Sequence, residues 1–81
     1  MEGRIVLRFL DRDHKTTRAR ELEIPDGVHV PMIVLQLAEG ENAVEIDVDG
    51  EHPLDVQVKD SDGRLTPLDP IWPGHHIRFT T

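Results

Sequence analysis

The stretch from Val28 to Gly40, VHVPMIVLQLAEG, constrains the fold more than any other part of the chain. It is the longest apolar run, it lies between Pro25-Asp26-Gly27 and Glu41-Asn42, and it reads two ways. As a helix it starts near Val30 with Pro31 in the first turn, where a missing N–H does no harm, and stops at Gly40, the usual residue for a left-handed position after a helix. Ile33 with Leu37, and Val34 with Ala38, then lie one turn apart. As a strand, Val28, Val30, Met32 and Val34 alternate on one face, but Pro31 removes a ladder donor from its middle, which suits only an edge. We expect the helix, near residues 30–39, and with it an α+β fold. The strand reading leads instead to an all-β small sandwich or barrel.

Around this run the chain alternates. Arg4 to Leu10 reads as a strand with Ile5, Leu7 and Phe9 on one face. Arg18 to Ile24 follows a charged connection and is expected to turn Leu22 and Ile24 inward, completing a hairpin. Ala43 to Asp49 alternates most cleanly, with Val44, Ile46 and Val48 inward and Glu45, Asp47 and Asp49 outward. Leu54 to Lys59 repeats the pattern after an Asp-Gly turn, so the two are expected to form a second hairpin. Arg64 to Leu68 reads as a short strand. The prolines of 66–74 then predict an ordered loop in which Leu68, Ile71 or Trp72 plugs the core, and His76 to Thr80 closes the chain as a strand.

Hairpin, helix, hairpin, proline-rich loop and final strand together resemble the β-grasp of ubiquitin-like proteins. The tail carries most of the resemblance: Gly63-Arg64-Leu65-Thr66-Pro67-Leu68-Asp69-Pro70, then Pro73-Gly74-His75-His76-Ile77-Arg78-Phe79. It implies a mixed sheet of four to five strands with one helix, the last strand pairing centrally with the first. Ubiquitin and the bacterial sulfur carriers act through a C-terminal Gly-Gly, whereas this chain ends Arg78-Phe79-Thr80-Thr81, so conjugation and sulfur transfer are not expected. The functional analogue is a non-conjugated ubiquitin-like adaptor or accessory subunit of a cytoplasmic bacterial assembly.

At 81 residues the chain supports one core and is expected to be a single domain over 1–81. Absent cysteine excludes a disulfide framework and thiolate chemistry. No stretch approaches the roughly 20 apolar residues that span a membrane, and Met1-Glu2-Gly3-Arg4 does not open a signal peptide, so a cytoplasmic location is expected. The net charge of -7 is uneven, because residues 1–20 carry six bases and three acids. That end is basic and the remaining body acidic, which disfavours nucleic acid as the general partner and favours a protein met through complementary charge.

Chemistry finds few parts. Asp60-Ser61-Asp62-Gly63 starts like a calcium loop but has Ile71 where a bidentate glutamate belongs, so it reads as an ordinary turn. The five histidines show no zinc spacing and are expected on the surface, and Ser61, the sole serine, has no Gly-rich elbow. No catalytic residue, metal or cofactor is expected. The expected function is a non-catalytic protein–protein interaction module. Its contact residues would be Arg8, Arg12, Lys15, Arg18 and Arg20 on the basic hairpin and Glu45, Asp47 and Asp49 on the acidic face. Trp72, between Pro70 and Pro73, reads first as a core plug and otherwise as an exposed anchor that joins them. The alternatives are a self-assembling homo-oligomer, the basic end of one copy meeting the acidic body of the next, and a small metal-dependent enzyme.

Overall fold

A computed structural model of the chain describes residues 3–25, 27 and 32–81, and every regular element among them is a strand. In order these are β1 (Gly3–Leu10), β2 (Thr16–Ile24), β3 (Met32–Gln36), β4 (Ala43–Asp49), β5 (Asp55–Lys59), β6 (Leu65–Pro67) and β7 (His76–Thr80). They form two sheets, the first ordered β2-β1-β4-β7 and the second β3-β5-β6. Ile5, Leu7 and Phe9 of β1 and Val44, Ile46 and Val48 of β4 meet Leu35, Leu37, Leu54, Val56, Val58 and Ile71 in one buried cluster. Two sheets therefore face each other across an aliphatic core and leave their edges open rather than closing into a barrel. Each large side chain buried there contributes about 1.5 to 3 kcal/mol.

The expected helix is overturned. Residues 32–36 pair in parallel with β5, Ile33 opposite Val56 and Leu35 opposite Val58, so alternate side chains enter the core and Met32, Val34 and Gln36 face out. The helix's expected start, at Val30 and Pro31, lies outside the described residues. β-branched residues and an alternation that continues to buried Leu37 outweigh the apparent caps. With the helix goes the ubiquitin-like β-grasp, and the all-β alternative takes its place. The last strand pairs with β4 at the sheet edge and does not touch β1 through a ladder.

A second correction concerns Ala43–Asp49 and the strand after it, which are not a hairpin. β4 lies in the first sheet between β1 and β7, whereas β5 lies in the second between β3 and β6. The chain changes sheets at Gly50, whose φ of 138° disfavours any side chain and where a Cβ would stand a tight 3.1 Å from the Cα of Gly3.

Two turns share one design. Asp11 Oδ1 accepts from the N–H groups of Asp13 and Lys15, and Asp60 Oδ1 from those of Asp62 and Arg64. In each the N–H of the first residue donates to the carbonyl of the fifth, and the fourth residue is left-handed: His14 at φ 63° and Gly63 at φ 88°. Asp60-Ser61-Asp62-Gly63 is thus the Asp/Gly turn the sequence suggests, its leading carboxylate occupied by backbone.

Candidate functional site

The placement of β2 decides where charge sits. Its register against β1 sets Ile5 opposite Leu22, Leu7 opposite Arg20 and Phe9 opposite Arg18. Both arginines therefore lie on the core side of the first sheet, at its open edge, and not on a free outer surface. Charged residues pointing inward from an edge strand are a known protection against unwanted pairing.

Arg18 is held through its Nε and Nη2. Its Nε and Nη2 donate to the two carboxylate oxygens of Glu41 at 2.9 and 3.0 Å, and Nη2 also donates to the carbonyl of Gln36 at 2.7 Å. Its guanidinium carbon sits 3.9 Å from the centroid of the Phe9 ring. Glu41, buried between the sheets' ends, also accepts from the Thr17 hydroxyl at 2.7 Å and the Ala38 N–H at 2.7 Å. Burial pushes its carboxyl up, but the hydrogen bonds from Arg18, Ala38 and Thr17, with the charge of Arg18, outweigh that and hold it below the ordinary value. The cluster clamps the end of β3 to β2.

Beyond the clamp the flank opens into a groove of about 450 Å³ between β2 and β3. Leu7, Phe9, Ile33 and Leu35 form its floor, and Arg20, Leu22 and Val34 its walls. Among the described residues Arg20 has no carboxylate within ion-pair distance.

The two outer faces differ. On the first sheet Arg8 donates to Glu45 at 2.6 Å, His76 Nε2 lies 3.2 Å from the other Glu45 oxygen, and His76 Nδ1 lies 2.7 Å from Asp47. Arg4 pairs with Glu21 at 3.1 Å. Arg78 Nη2 donates to His14 Nδ1, reaching from β7 to the β1–β2 turn. The contacts from Asp47 and then Glu45 raise the pKa of His76, and Arg8 foremost lowers that of Glu45. On the second sheet the outward residues are Met32, Val34 and Gln36 of β3, Asp55, Gln57 and Lys59 of β5, and Leu65 and Pro67 of β6. Met32, Val34 and Leu65 are about half exposed, at 49, 52 and 50%.

Of the residues singled out from sequence, Arg8 pairs with Glu45, and Glu45 and Asp47 both hold His76. Asp49 is exposed on the same face, while Arg12 and Lys15 stand in the β1–β2 turn. Arg18 and Arg20 belong to the flank. Trp72, read first as a core plug, is 58% exposed, and Ile71 beside it fills the core at 2%. Sequence reasoning missed Glu41, Leu22, Met32, Val34 and Leu65. The signal for Arg18 and Arg20 was available, since stepping back by twos from Leu22 reaches both.

Arg12 also lines a cleft of about 530 Å³ at one end of the molecule, with Asp11, Asp13, Glu39, Glu41, Asp60 and Asp62. Three of those carboxylates already accept hydrogen bonds within the chain. Among the described residues no group of three histidine, aspartate or glutamate side chains is placed to hold a metal, and no helix is long and apolar enough to cross a membrane. Compared with family models, curated proteins and solved structures, the chain matches none of them.

Proposed function

We propose that this chain is a non-catalytic protein-interaction module, an adaptor or accessory subunit acting in the cytoplasm, and that it binds through the β2–β3 flank and the adjoining face of the second sheet. The supporting observation is the distribution of exposed apolar side chains. Among the described residues Leu22, Met32, Val34, Leu65 and Trp72 are the large ones; Met32 and Val34 stand together on the outward face of β3 with Leu22 across the groove, whereas Leu65 lies on β6 beyond Asp55, Gln57 and Lys59. Clustered exposed apolar groups rimmed by polar ones mark interaction surfaces. On the first sheet's face Arg8, Glu45, Asp47 and His76 satisfy each other, which leaves less charge for a partner than the sequence alone suggests.

The test is capture from native lysate at low and then moderate salt, with bound proteins identified by mass spectrometry. Wild type and Asp47→Lys, altered on the charged face, are expected to retain one stoichiometric partner that the double variant Met32→Lys, Val34→Lys loses. Retention by the double variant, loss by Asp47→Lys, or recovery of the chain alone would each reject the reading.

A further inference from the structure

The four edge strands are protected unequally. β2 turns Arg18 and Arg20 inward, β6 has three residues and contains Pro67, and β7 carries His76 and Arg78. Each is a recognised way to discourage edge pairing. β3 reads Met32-Ile33-Val34-Leu35-Gln36, without charge or proline, and among the described residues nothing pairs with its free edge except Arg18, which occupies the Gln36 carbonyl.

We propose that β3 is a docking edge: it accepts an extended segment of a partner protein as an added strand, which presents an acidic side chain to Arg20 and an aliphatic one to Leu22. This rests on the interaction-module reading above and names the partner's chemistry. Neighbouring strands stand about 4.8 Å apart and stacked sheets about 10 Å, so a strand added to β3 lies in the groove beneath the inner side of β2. The Arg18–Gln36 contact closes one end and sets the level. From it, two-residue steps back along β2 carry Arg20 and then Leu22 over the Leu35–Ile33 stretch of β3, with which both line the groove. The inward side chains of the guest, set in the ladder opposite Leu35 and Ile33, thus meet a guanidinium that has no carboxylate partner among the described residues and, two residues on, a leucine. Its outward side chain between them lies beside Val34. The segment reads acid, aliphatic, aliphatic in one direction or the other, with ladder hydrogen bonds giving affinity and these side chains specificity.

A second copy of β3 fits less well. It would present Ile33 and Leu35 to Arg20, covering an arginine without supplying a countercharge.

The experiment is selection from a displayed library of random ten-residue peptides against wild type and against Arg20→Glu, with Arg20→Gln as a check that the exposed position tolerates change. Wild type should enrich the acid-aliphatic-aliphatic pattern. Arg20→Glu should bind those peptides about tenfold or more weakly and enrich a basic residue at the acidic place. The selected peptide should shift and protect the amides of Met32 to Leu35 in NMR spectra. No enrichment, a pattern unchanged by Arg20→Glu, amide shifts confined to the first sheet, or a wild-type dimer broken by Val34→Lys would overturn the proposal. The lysate partner surviving Arg20→Glu but not Met32→Lys, Val34→Lys would sink only this inference. Loss of that partner from neither would sink the broader reading.

Discussion

Glu41 with Arg18, and Glu45 and Asp47 with Arg8 and His76, make two groups of ionised side chains that differ in what water can reach. At the flank, Glu41 is 8% exposed and its carboxylate takes four hydrogen bonds, from Arg18 twice, Thr17 and Ala38. On the first sheet's face Glu45 holds Arg8 and, with Asp47, His76, and the side chains of Arg8 and His76 are half exposed. Both groups lower a glutamate's pKa or raise a histidine's. A carboxylate shielded from solvent that loses its partners leaves donors unsatisfied, whereas exposed pairs mostly trade protein contacts for water. The flank cluster therefore fixes how β2 meets β3, and with it the shape of the groove. The face lattice tunes an edge strand.

The largest effect expected from this contrast is at Glu41. Glu41→Ala strands the Ala38 N–H and one side of the Arg18 guanidinium, and should cost about 3 kcal/mol in urea unfolding. Glu45→Ala, on the face, should cost under about 1 kcal/mol. Equal losses would show that burial does not separate the groups. Acid sharpens the same point. Because the folded pKa of Glu41 is depressed, its contribution is complete above the unfolded value, about pH 4.3, and disappears as pH falls through the folded one. Wild type and Glu41→Gln should converge in stability over that window. If the gap between them stays constant, the Arg18 contact is not what holds Glu41 ionised.

The position of these clusters was only partly visible in the residues. Alternation located β1, β4 and β7 well, because burial of every second side chain leaves a period that sequence retains. It could not say which sheet a strand joins, since Val44, Ile46, Val48 and Val56, Val58 carry the same signature while facing each other across the core. The 28–40 run misled because a proline near its start and a glycine at its end imitate helix caps, while Ile33, Leu35 and Leu37 carried the period of two. Glu41 was hidden because, apart from the Ala38 N–H three residues back, its partners Thr17 and Arg18 are 24 and 23 residues away and meet it only once the sheets pack. Arg20 was placed with Arg8, Arg12 and Lys15 on one basic hairpin surface because its charge was weighed before its parity, which turns it to the core side.

A smaller effect is expected at His14, where the face lattice meets a strained turn. Its φ of 63° is one that a β-carbon disfavours and that Gly63 adopts without cost in the matching turn. The Arg78 contact it makes is exposed and of little worth. His14→Gly should therefore stabilise the protein by about 0.5 kcal/mol in the same unfolding assay. A loss of stability would mean that the lattice is stronger than its exposure implies.

The smallest effect belongs to His76, and its sign is fixed by its surroundings. Asp47 and Glu45 face it from β4, Arg8 shares Glu45 from β1, and Arg78 stands two residues along its own strand. Asp47 first, then Glu45, raise the imidazole's pKa against the opposing pull of desolvation. A raised folded pKa stabilises the protein fully below the unfolded value, about 6.5, and the gain vanishes as pH climbs through the folded one. Wild type should exceed His76→Gln in stability at pH 5.5, and the difference should fade above neutrality and shrink in added salt at either pH. Amide exchange along β7 reports it most directly, because the two ring contacts tie that edge strand to β4. A difference that grows with pH would mean His76 folds as the neutral ring, with its carboxylate contacts made by one nitrogen alone.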